Sequence, residues 1–225
     1  MNSHQILKRY LEALTKGLSN NLMVVGKAGI GKTELVLNTL QELGLKEGQN
    51  YLYSPNFITP KALVRRLEEV NGLNDPKLLI MDDSEDTLRN LQSVGVLKGA
   101  MWQTPNGQRK VSWLTSREKT EFNFIGKIIF LLNSFNKKNP LLSALKDRSL
   151  YFEMKLSQND IKELILARAK QPYFNTSYEQ RLKVAQFLAQ QPNEMSLRTY
   201  PHALNLMILS PNSYQYLIVE MLNNK

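Results

Sequence analysis

The stretch Leu22-Met-Val-Val-Gly26-Lys-Ala-Gly-Ile-Gly31-Lys32-Thr33 decides the fold. Four apolar residues lead into the pattern G-x-x-x-x-G-K-T, and the residues after Thr33 repeat apolar side chains at helical spacing. A glycine-rich loop between a strand and a helix brings backbone N–H groups around a phosphate at the helix N-terminus. The stretch therefore predicts a phosphate-binding loop inside an α/β domain.

The two residues that end this motif have the chemistry of a nucleoside triphosphate site. We expect Lys32 to bridge the β- and γ-phosphates and the Thr33 hydroxyl to ligate Mg²⁺, so ATP and Mg²⁺ are the predicted cofactors. The predicted nucleotide-binding residues are Gly26, Lys27, Ala28, Gly29, Ile30, Gly31, Lys32 and Thr33.

A pair of aspartates supplies the acidic part of such a site. The apolar run Leu78-Leu-Ile-Met81 has the length of a buried strand and ends in Asp82-Asp83. A carboxylate at the end of a neighbouring strand can hold the water shell of Mg²⁺, and the next one can polarise the attacking water. Asp82 is therefore the predicted metal partner, and Asp83 is the predicted catalytic carboxylate.

Strand and helix patterns alternate over residues 1–155, which indicates a mostly parallel sheet covered on both faces. After this point the strand patterns stop. The predicted fold is an α/β, three-layer αβα core in residues 1–155 with a small all-helical C-terminal domain in residues 156–225. Helical patterns in the second part cover residues 158–170, 177–190, 196–209 and 212–223.

Composition limits the classes of protein. The 225 residues include no cysteine and two histidines, so disulfides and thiolate metal sites are excluded. No apolar run approaches the length of a membrane span, and the first residues lack the pattern of a signal peptide. We therefore expect a cytoplasmic protein with no membrane partner. The net charge of +9 favours a polyanionic partner such as DNA, although many basic proteins bind no nucleic acid.

Taken together, these motifs resemble the AAA+ ATPase family, and the resemblance covers nearly the whole chain. In that family a strand that follows the metal carboxylate ends in a polar residue called sensor 1. The run Lys127-Ile-Ile-Phe-Leu-Leu-Asn133 matches this pattern with Asn133. An amide there can hydrogen-bond both the γ-phosphate and the attacking water. The alternative is an asparagine that only caps a turn.

The resemblance also implies roles for two arginines. Arg148 stands at the end of the helix before the last strand, where the family has an arginine finger that reaches the γ-phosphate in a neighbouring subunit. Lys146 is the rival for that role, and a solvated Arg148 paired with Asp147 is the alternative. Arg198 resembles the family's sensor-2 arginine, which touches the nucleotide from the helical lid; its alternative is a solvated helix-end cation. A finger acting between subunits implies a homo-oligomer, either a hexameric ring or a filament.

One position departs from the family pattern. A glutamate usually follows the metal aspartate, and this chain has Asp83. The shorter side chain places its carboxylate about one methylene further from the water. Hydrolysis is then slow, or Asp83 acts through an adjusted geometry, or Glu85 takes over its role.

The segment before the sensor-1 strand bears on the substrate. Asn106-Gly107 is a strong hairpin-turn signal, although Pro105 weakens the first arm. The predicted hairpin is similar to those that grip nucleic acid in superfamily 3 viral helicases and their relatives. Next to the turn, Arg109 and Lys110 are the predicted phosphate contacts.

The two tryptophans of this segment leave two interpretations open. Trp102 and Trp113 could stack on bases, or they could pack the hairpin onto the core while the cations are merely solvated.

Three functions remain open from the sequence. The first is an ATPase that acts on DNA, as a helicase, a helicase loader, a filament former or a mobile-element protein. The second is a remodeller whose substrate is a partner protein. The third is a nucleotide-controlled switch that hydrolyses ATP slowly.

Overall fold

The computed structural model describes residues 3–116, 118–136 and 138–224, in which strands and helices are mixed up to β7 and only helices follow. In chain order the elements are α1 (Ser3–Thr15), β1 (Asn21–Val25), α2 (Lys32–Glu42), β2 (Tyr51–Pro55), α3 (Pro60–Asn71), β3 (Leu78–Asp82), α4 (Glu85–Arg89), α5 (Leu91–Met101), β4 (Lys110–Leu114), β5 (Lys119–Asn123), β6 (Lys127–Leu132), α6 (Pro140–Lys146), β7 (Leu150–Glu153), α7 (Gln158–Arg168), α8 (Tyr178–Gln190), α9 (Thr199–Leu209) and α10 (Tyr214–Asn223).

Five parallel strands form the central sheet in the order β2-β3-β6-β1-β7. Every residue of β1 and β3 is buried, on both faces of the sheet. Continuous apolar runs such as Leu78-Leu-Ile-Met81 form strands of this kind because helices exclude water from both faces. The predicted α/β fold with a mostly parallel sheet and C-terminal helices is confirmed.

Capping residues in the sequence set the start of several helices. The Thr59 side chain accepts a hydrogen bond from the Ala62 N–H, and Pro60 occupies the first turn of α3. Ser157 and Asp160 form a reciprocal capping box at the start of α7. Such caps satisfy N–H groups that have no partner within the helix, and each stabilises the helix end by about 1 kcal/mol.

Contacts divide the chain into two compact units. The first consists of the chain up to Lys27 together with Lys32–Met154, and it holds the sheets. The second contains the chain from Lys155 onward and also Ala28–Gly31 of the glycine-rich loop. Its helices α7, α8, α9 and α10 pack around buried apolar side chains such as Ile165, Leu188 and Leu204. No helix in the described part of the chain is long and apolar enough to cross a membrane.

The hairpin before β6 exists, but its turn is not where the sequence predicted it. Strands β4 and β5 pair antiparallel, and the turn between them is closed by a hydrogen bond from the Thr115 N–H to the Glu118 carbonyl oxygen (2.8 Å). Gly107 does lie in a turn, with φ of 77°. That turn connects α5 to β4, because Met101 ends a helix and so provides no first strand.

Helix α5 packs closely against β4 at a glycine. A Cβ atom added to Gly99 would lie 2.5 Å from the backbone oxygen of Lys110, whereas one added to Gly95 would meet no atom within 4 Å. Both glycines lie in the same helix, so they form a matched pair.

We expect the two alanine variants of α5 to change stability in opposite directions. Gly95→Ala should raise the free energy of unfolding by about 0.5–1 kcal/mol, because alanine loses less backbone entropy in a helix. Gly99→Ala should lower it by about 1 kcal/mol or more, because a backbone oxygen cannot yield to the added methyl group. Urea unfolding measures both changes, and equal gains in both variants would contradict the close packing of α5 on β4.

Candidate functional site

The predicted site residues gather where the parallel strands end. Val25 pairs with Leu132 in the sheet, and Asp82 pairs with Leu131, so β1, β3 and β6 reach the same edge together. Two hydrogen bonds extend this order past the strand ends: Gly26 N–H donates to the Leu132 oxygen, and Asp83 N–H donates to the Leu131 oxygen, both at 3.0 Å. The carboxyl edge of a parallel sheet is the usual place for a ligand site in such folds.

The glycine-rich loop begins at this edge. Gly29 and Gly31 have φ values of 75° and 85°, which side chains other than glycine rarely adopt. Within the second unit, the Leu197 N–H donates to the Gly29 oxygen (2.8 Å), and a Cβ atom at Gly29 would lie 2.8 Å from the Cβ of Ser196. Glycine is therefore required at Gly29 both by the backbone conformation and by the lack of space.

Lys32 brings a nearly buried positive charge to the loop. Its side chain is 5% exposed, and its ammonium donates to the oxygens of Gly26 (2.7 Å) and Lys27 (3.1 Å) and to Asn133 Oδ1 (3.0 Å). A buried ammonium is tolerated only when oxygen atoms surround it. Such a charge, held at a loop of backbone N–H groups, suits the binding of a phosphate.

Asp82 is held by two hydroxyl groups. Its Oδ2 accepts hydrogen bonds from Thr33 Oγ1 and from the Tyr53 hydroxyl, both at 2.7 Å. Burial, followed by the hydrogen bond to Asp82, raises the pKa of Tyr53, so its hydroxyl stays protonated at neutral pH and donates. Tyr53 is a residue that the sequence analysis missed. The available signal in the sequence was an aromatic residue with a hydroxyl group at the end of the short strand-like run Tyr51-Leu-Tyr53.

Asn133 connects the lysine to the second aspartate. Its Nδ2 donates to Asp83 Oδ1 (2.7 Å), while its Oδ1 accepts from Lys32. A lysine can only donate and a carboxylate can only accept, so an amide with one group of each kind fits between them. The structure therefore brings Lys32, Asn133 and Asp83 together in one chain of hydrogen bonds.

Glu85, the alternative to Asp83, contacts the backbone after β6. Its Oε1 accepts hydrogen bonds from the backbone N–H groups of Asn133 and Ser134. These contacts hold the backbone at the predicted sensor-1 position. Asp83 itself has φ of 48°, an uncommon conformation for a residue with a side chain, and such residues concentrate at functional sites.

The two predicted arginines lie in different places. Arg148 is exposed after α6, its guanidinium donates to the Ala144 oxygen, and its own carbonyl accepts from Asn21 Nδ2 (2.9 Å). Asn21 begins β1, so these contacts lie at the opposite edge of the sheet from Lys32. Arg198 is exposed just before α9, and its Cδ lies 3.7 Å from the position of a Cβ atom at Gly29, within the second unit.

Arg109, predicted to contact nucleic acid, is instead buried. Only 7% of Arg109 is exposed, its Nη1 donates to the Ala100 oxygen (3.4 Å), and its guanidinium carbon lies 5.1 Å from the centre of the Phe124 ring. Burial lowers its pKa. Arg109 packs the base of the hairpin and cannot meet a phosphate there, which corrects the prediction. Lys110 remains exposed and pairs with Glu121 at 3.0 Å.

Trp113 agrees with the interpretation that the tryptophans pack onto the core, whereas Trp102 leaves the stacking interpretation open. Trp113 is partly buried and packs against the core cluster, as the packing interpretation requires. Trp102 is 53% exposed, so its ring remains available to a partner.

The oxygen atoms at this edge suit Mg²⁺, which keeps several water ligands, better than a metal ion that is enclosed by protein side chains alone. Within residues 3–116, 118–136 and 138–224, no group of three or more His, Cys, Asp and Glu side chains could hold a metal ion. Mg²⁺ is commonly held by one or two protein oxygens together with water and phosphate. The Thr33 hydroxyl and the Asp82 carboxylate form such a pair, so the ion would arrive with a nucleotide.

The chain has a parallel sheet, a glycine-rich loop after β1, and a Thr33 hydroxyl that donates a hydrogen bond to the aspartate at the end of β3. Together these features define a P-loop nucleotide-binding fold. Solved structures share this fold. Two different mutants of RuvB from Thermotoga maritima both match with a TM-score of 0.58. They are 16% and 15% identical to this chain, cover 97% and 98% of it, and are themselves covered over 69% of their length.

The chain therefore has the fold of these RuvB structures, and the resemblance drawn from the sequence is confirmed at the level of the fold. No protein-family profile and no curated protein sequence matches the chain. The roles of the individual site residues stay predictions.

Proposed function

We propose that this protein binds ATP with Mg²⁺ and hydrolyses it. The observation that carries the proposal is the hydrogen-bonded chain Lys32–Asn133–Asp83 beside the Thr33–Asp82 pair. One end of this arrangement carries the positive charge that phosphates need, and the other end carries a carboxylate that can polarise water. The glycine-rich loop, Gly26 to Thr33, supplies the backbone N–H groups of the phosphate site.

Each side chain has a defined task in this proposal. The Thr33 hydroxyl would offer a lone pair to the cation while it keeps its proton and donates a hydrogen bond to Asp82 Oδ2. A Mg²⁺ ion held by Thr33 and Asp82 would supply positive charge that offsets the charge on the phosphates. Asp83 accepts a hydrogen bond from the attacking water, and Asn133 orients that water. Because Asp83 reaches Asn133 at 2.7 Å, its shorter side chain still lies at the sensor position.

The hydrogen bond between Asn133 and Asp83 also supports a second candidate function, in which the protein binds ATP but hydrolyses it slowly. Asp83 rests on the Asn133 amide, and its carboxylate has one methylene less than the usual glutamate with which to reach a water. A protein of this kind would act as a switch set by bound ATP. The hydrolysis rate separates the two functions.

Two variants at the site should separate binding from hydrolysis. Lys32→Ala should abolish binding of a fluorescent ATP analogue, because the phosphates lose the buried ammonium. Asp83→Asn should keep that binding and lower the hydrolysis rate by about 10²-fold or more, because an amide cannot polarise the water. If Lys32→Ala bound ATP as tightly as the wild type, the loop would not be the nucleotide site. Undiminished turnover in Asp83→Asn would move the catalytic role elsewhere.

We further propose that subunits assemble into a ring or filament, with residues 1–155 as the core and 156–225 as the lid. Arg148 supports this because its contacts lie at the opposite edge of the sheet from Lys32. It could then complete the site only of another subunit. Arg198, which lies beside Gly29, would report the nucleotide state from the lid. A cytoplasmic location stays the prediction of the sequence.

Mixing two inactive variants tests this assembly. Arg148→Ala should keep ATP affinity but depress turnover, since such fingers contribute about 10³-fold or more in related phosphoryl transfers. Lys32→Ala should lack the phosphate site but keep its arginine. Combining the two should restore part of the activity, because some interfaces then pair an intact site with an intact arginine. Turnover per subunit should also rise with protein concentration. No rescue and no concentration dependence would show that Arg148 does not act across an interface.

DNA is the substrate we propose, with a partner protein as the alternative. The net charge of +9 supports it, and so does the outer face of the β4–β5 hairpin. On that face Lys110 and Lys119 have side chains 57% and 73% exposed, on either side of Glu121. Exposed cations of this kind can replace the counterions of a phosphate backbone.

Removing the two hairpin lysines tests the DNA proposal. Lys110→Ala combined with Lys119→Ala should weaken DNA binding and flatten its salt dependence by up to about two ion-release units. The control combines Lys46→Ala with Lys170→Ala, which removes the same charge from exposed positions outside the hairpin. Titrations over a range of salt concentrations with single- and double-stranded DNA give the slopes. Equal slopes in both double variants would leave the hairpin without a specific role, and absence of DNA binding in the wild type would favour the protein substrate.

A further inference from the structure

Tyr53 stands beside the acidic part of the site but belongs to none of the motifs. It lies in β2, next to β3 in the sheet, and pairs in register with Ile80, two residues before Asp82. From there its hydroxyl reaches Asp82 Oδ2 at 2.7 Å. A side chain from a neighbouring strand therefore completes the surroundings of this carboxylate.

The hydrogen bonds to the Asp82 carboxylate go to only one of its two oxygen atoms. Oδ2 accepts from both Tyr53 and Thr33, whereas no donor in the described part of the chain reaches Oδ1. Asp82 is only 6% exposed, so its charge depends on the few donors around it. Two donors on one oxygen restrict rotation of the carboxylate group and leave the other oxygen available.

The two donors are not equivalent. The Thr33 hydroxyl is the group expected to ligate the cation, so its own position depends on whether a cation is bound. The Tyr53 hydroxyl is carried by β2, whose backbone pairs with β3, and donates to Oδ2 at 2.7 Å. Tyr53 is therefore the donor that can fix the carboxylate independently of the nucleotide.

We propose that Tyr53 is a positioning residue of the Mg²⁺ site, which orients the Asp82 carboxylate by holding its Oδ2 oxygen. This inference rests on the proposed binding of ATP with Mg²⁺. Hydrogen-bond partners behind a metal ligand commonly govern metal affinity although they do not touch the metal. Tyr53 acts in the same way, through Asp82, and it is not itself a catalytic residue.

The test removes one hydroxyl group and measures the Mg²⁺ dependence of nucleotide binding. A fluorescent ATP analogue is titrated onto wild-type protein and onto Tyr53→Phe over a range of Mg²⁺ concentrations and in EDTA. We expect the half-saturating Mg²⁺ concentration to rise about tenfold in Tyr53→Phe, at the lower end of losses seen when such a partner is removed. Binding in EDTA should change by less than about twofold, since the phosphate loop is unaltered.

Tyr51→Phe is the matched control. Tyr51 lies in the same strand and is more deeply buried than Tyr53, but no hydrogen bond joins it to Asp82. Its removal should leave the Mg²⁺ dependence unchanged. Thermal unfolding of both variants shows whether either has lost stability.

Three results would overturn the proposal, and they differ from a failure of the proposed function. An unchanged Mg²⁺ dependence in Tyr53→Phe would mean that the hydroxyl only stabilises the fold. A lower half-saturating concentration would mean that Tyr53 competes with the cation for Asp82. An equal rise in Tyr51→Phe would point to a general effect of the strand. In each case Mg²⁺-dependent binding by the wild type would leave the proposed function standing, whereas its absence would refute both.

Discussion

A lysine ammonium that is almost fully buried must be surrounded by oxygen atoms, and the surroundings of Lys32 organise the candidate site. Two of its acceptors are backbone oxygens of the loop after β1, and the third is the side chain of Asn133 after β6. Both strands must therefore end at the same level, side by side. The order β3-β6-β1 achieves this and brings Asp82 to the same edge. Sheet order and loop conformation together supply the oxygen atoms that Lys32 needs.

Much of this arrangement could be predicted from the sequence, because its signals are local. The loop pattern, the apolar strands and the polar residues that end them each lie within a few neighbouring residues. The fold prediction is confirmed, and it implied that Lys32, Asp82 and Asn133 meet, since parallel strands share a carboxyl edge. How these side chains pair was not predictable, because hydrogen bonds between side chains of different strands leave no local pattern in the sequence.

The errors and omissions involve contacts between residues far apart in the chain. Arg109 stands in a polar, turn-rich segment, so its sequence neighbours suggest exposure. Its burial depends on the Phe124 ring, after β5, and on the Ala100 oxygen in α5, which come together only in the folded chain. The hairpin turn was misplaced because Asn106-Gly107 is a strong turn signal, while α5 extends to Met101 and removes the first arm. Tyr53 was missed because its importance depends on a neighbour across the sheet rather than on a motif.

The aspartate that replaces the usual glutamate is consistent with the local backbone. The Asp83 N–H makes the last bond of the ladder, to the Leu131 oxygen, and the chain then turns at once through a φ of 48°. Aspartate tolerates this conformation better than most residues, because its short polar side chain can form local hydrogen bonds. The turn leaves its carboxylate within reach of the Asn133 amide, whose other end contacts Lys32. Under the proposed function, a phosphate bound at Lys32 would therefore be connected to Asp83 through the single side chain of Asn133.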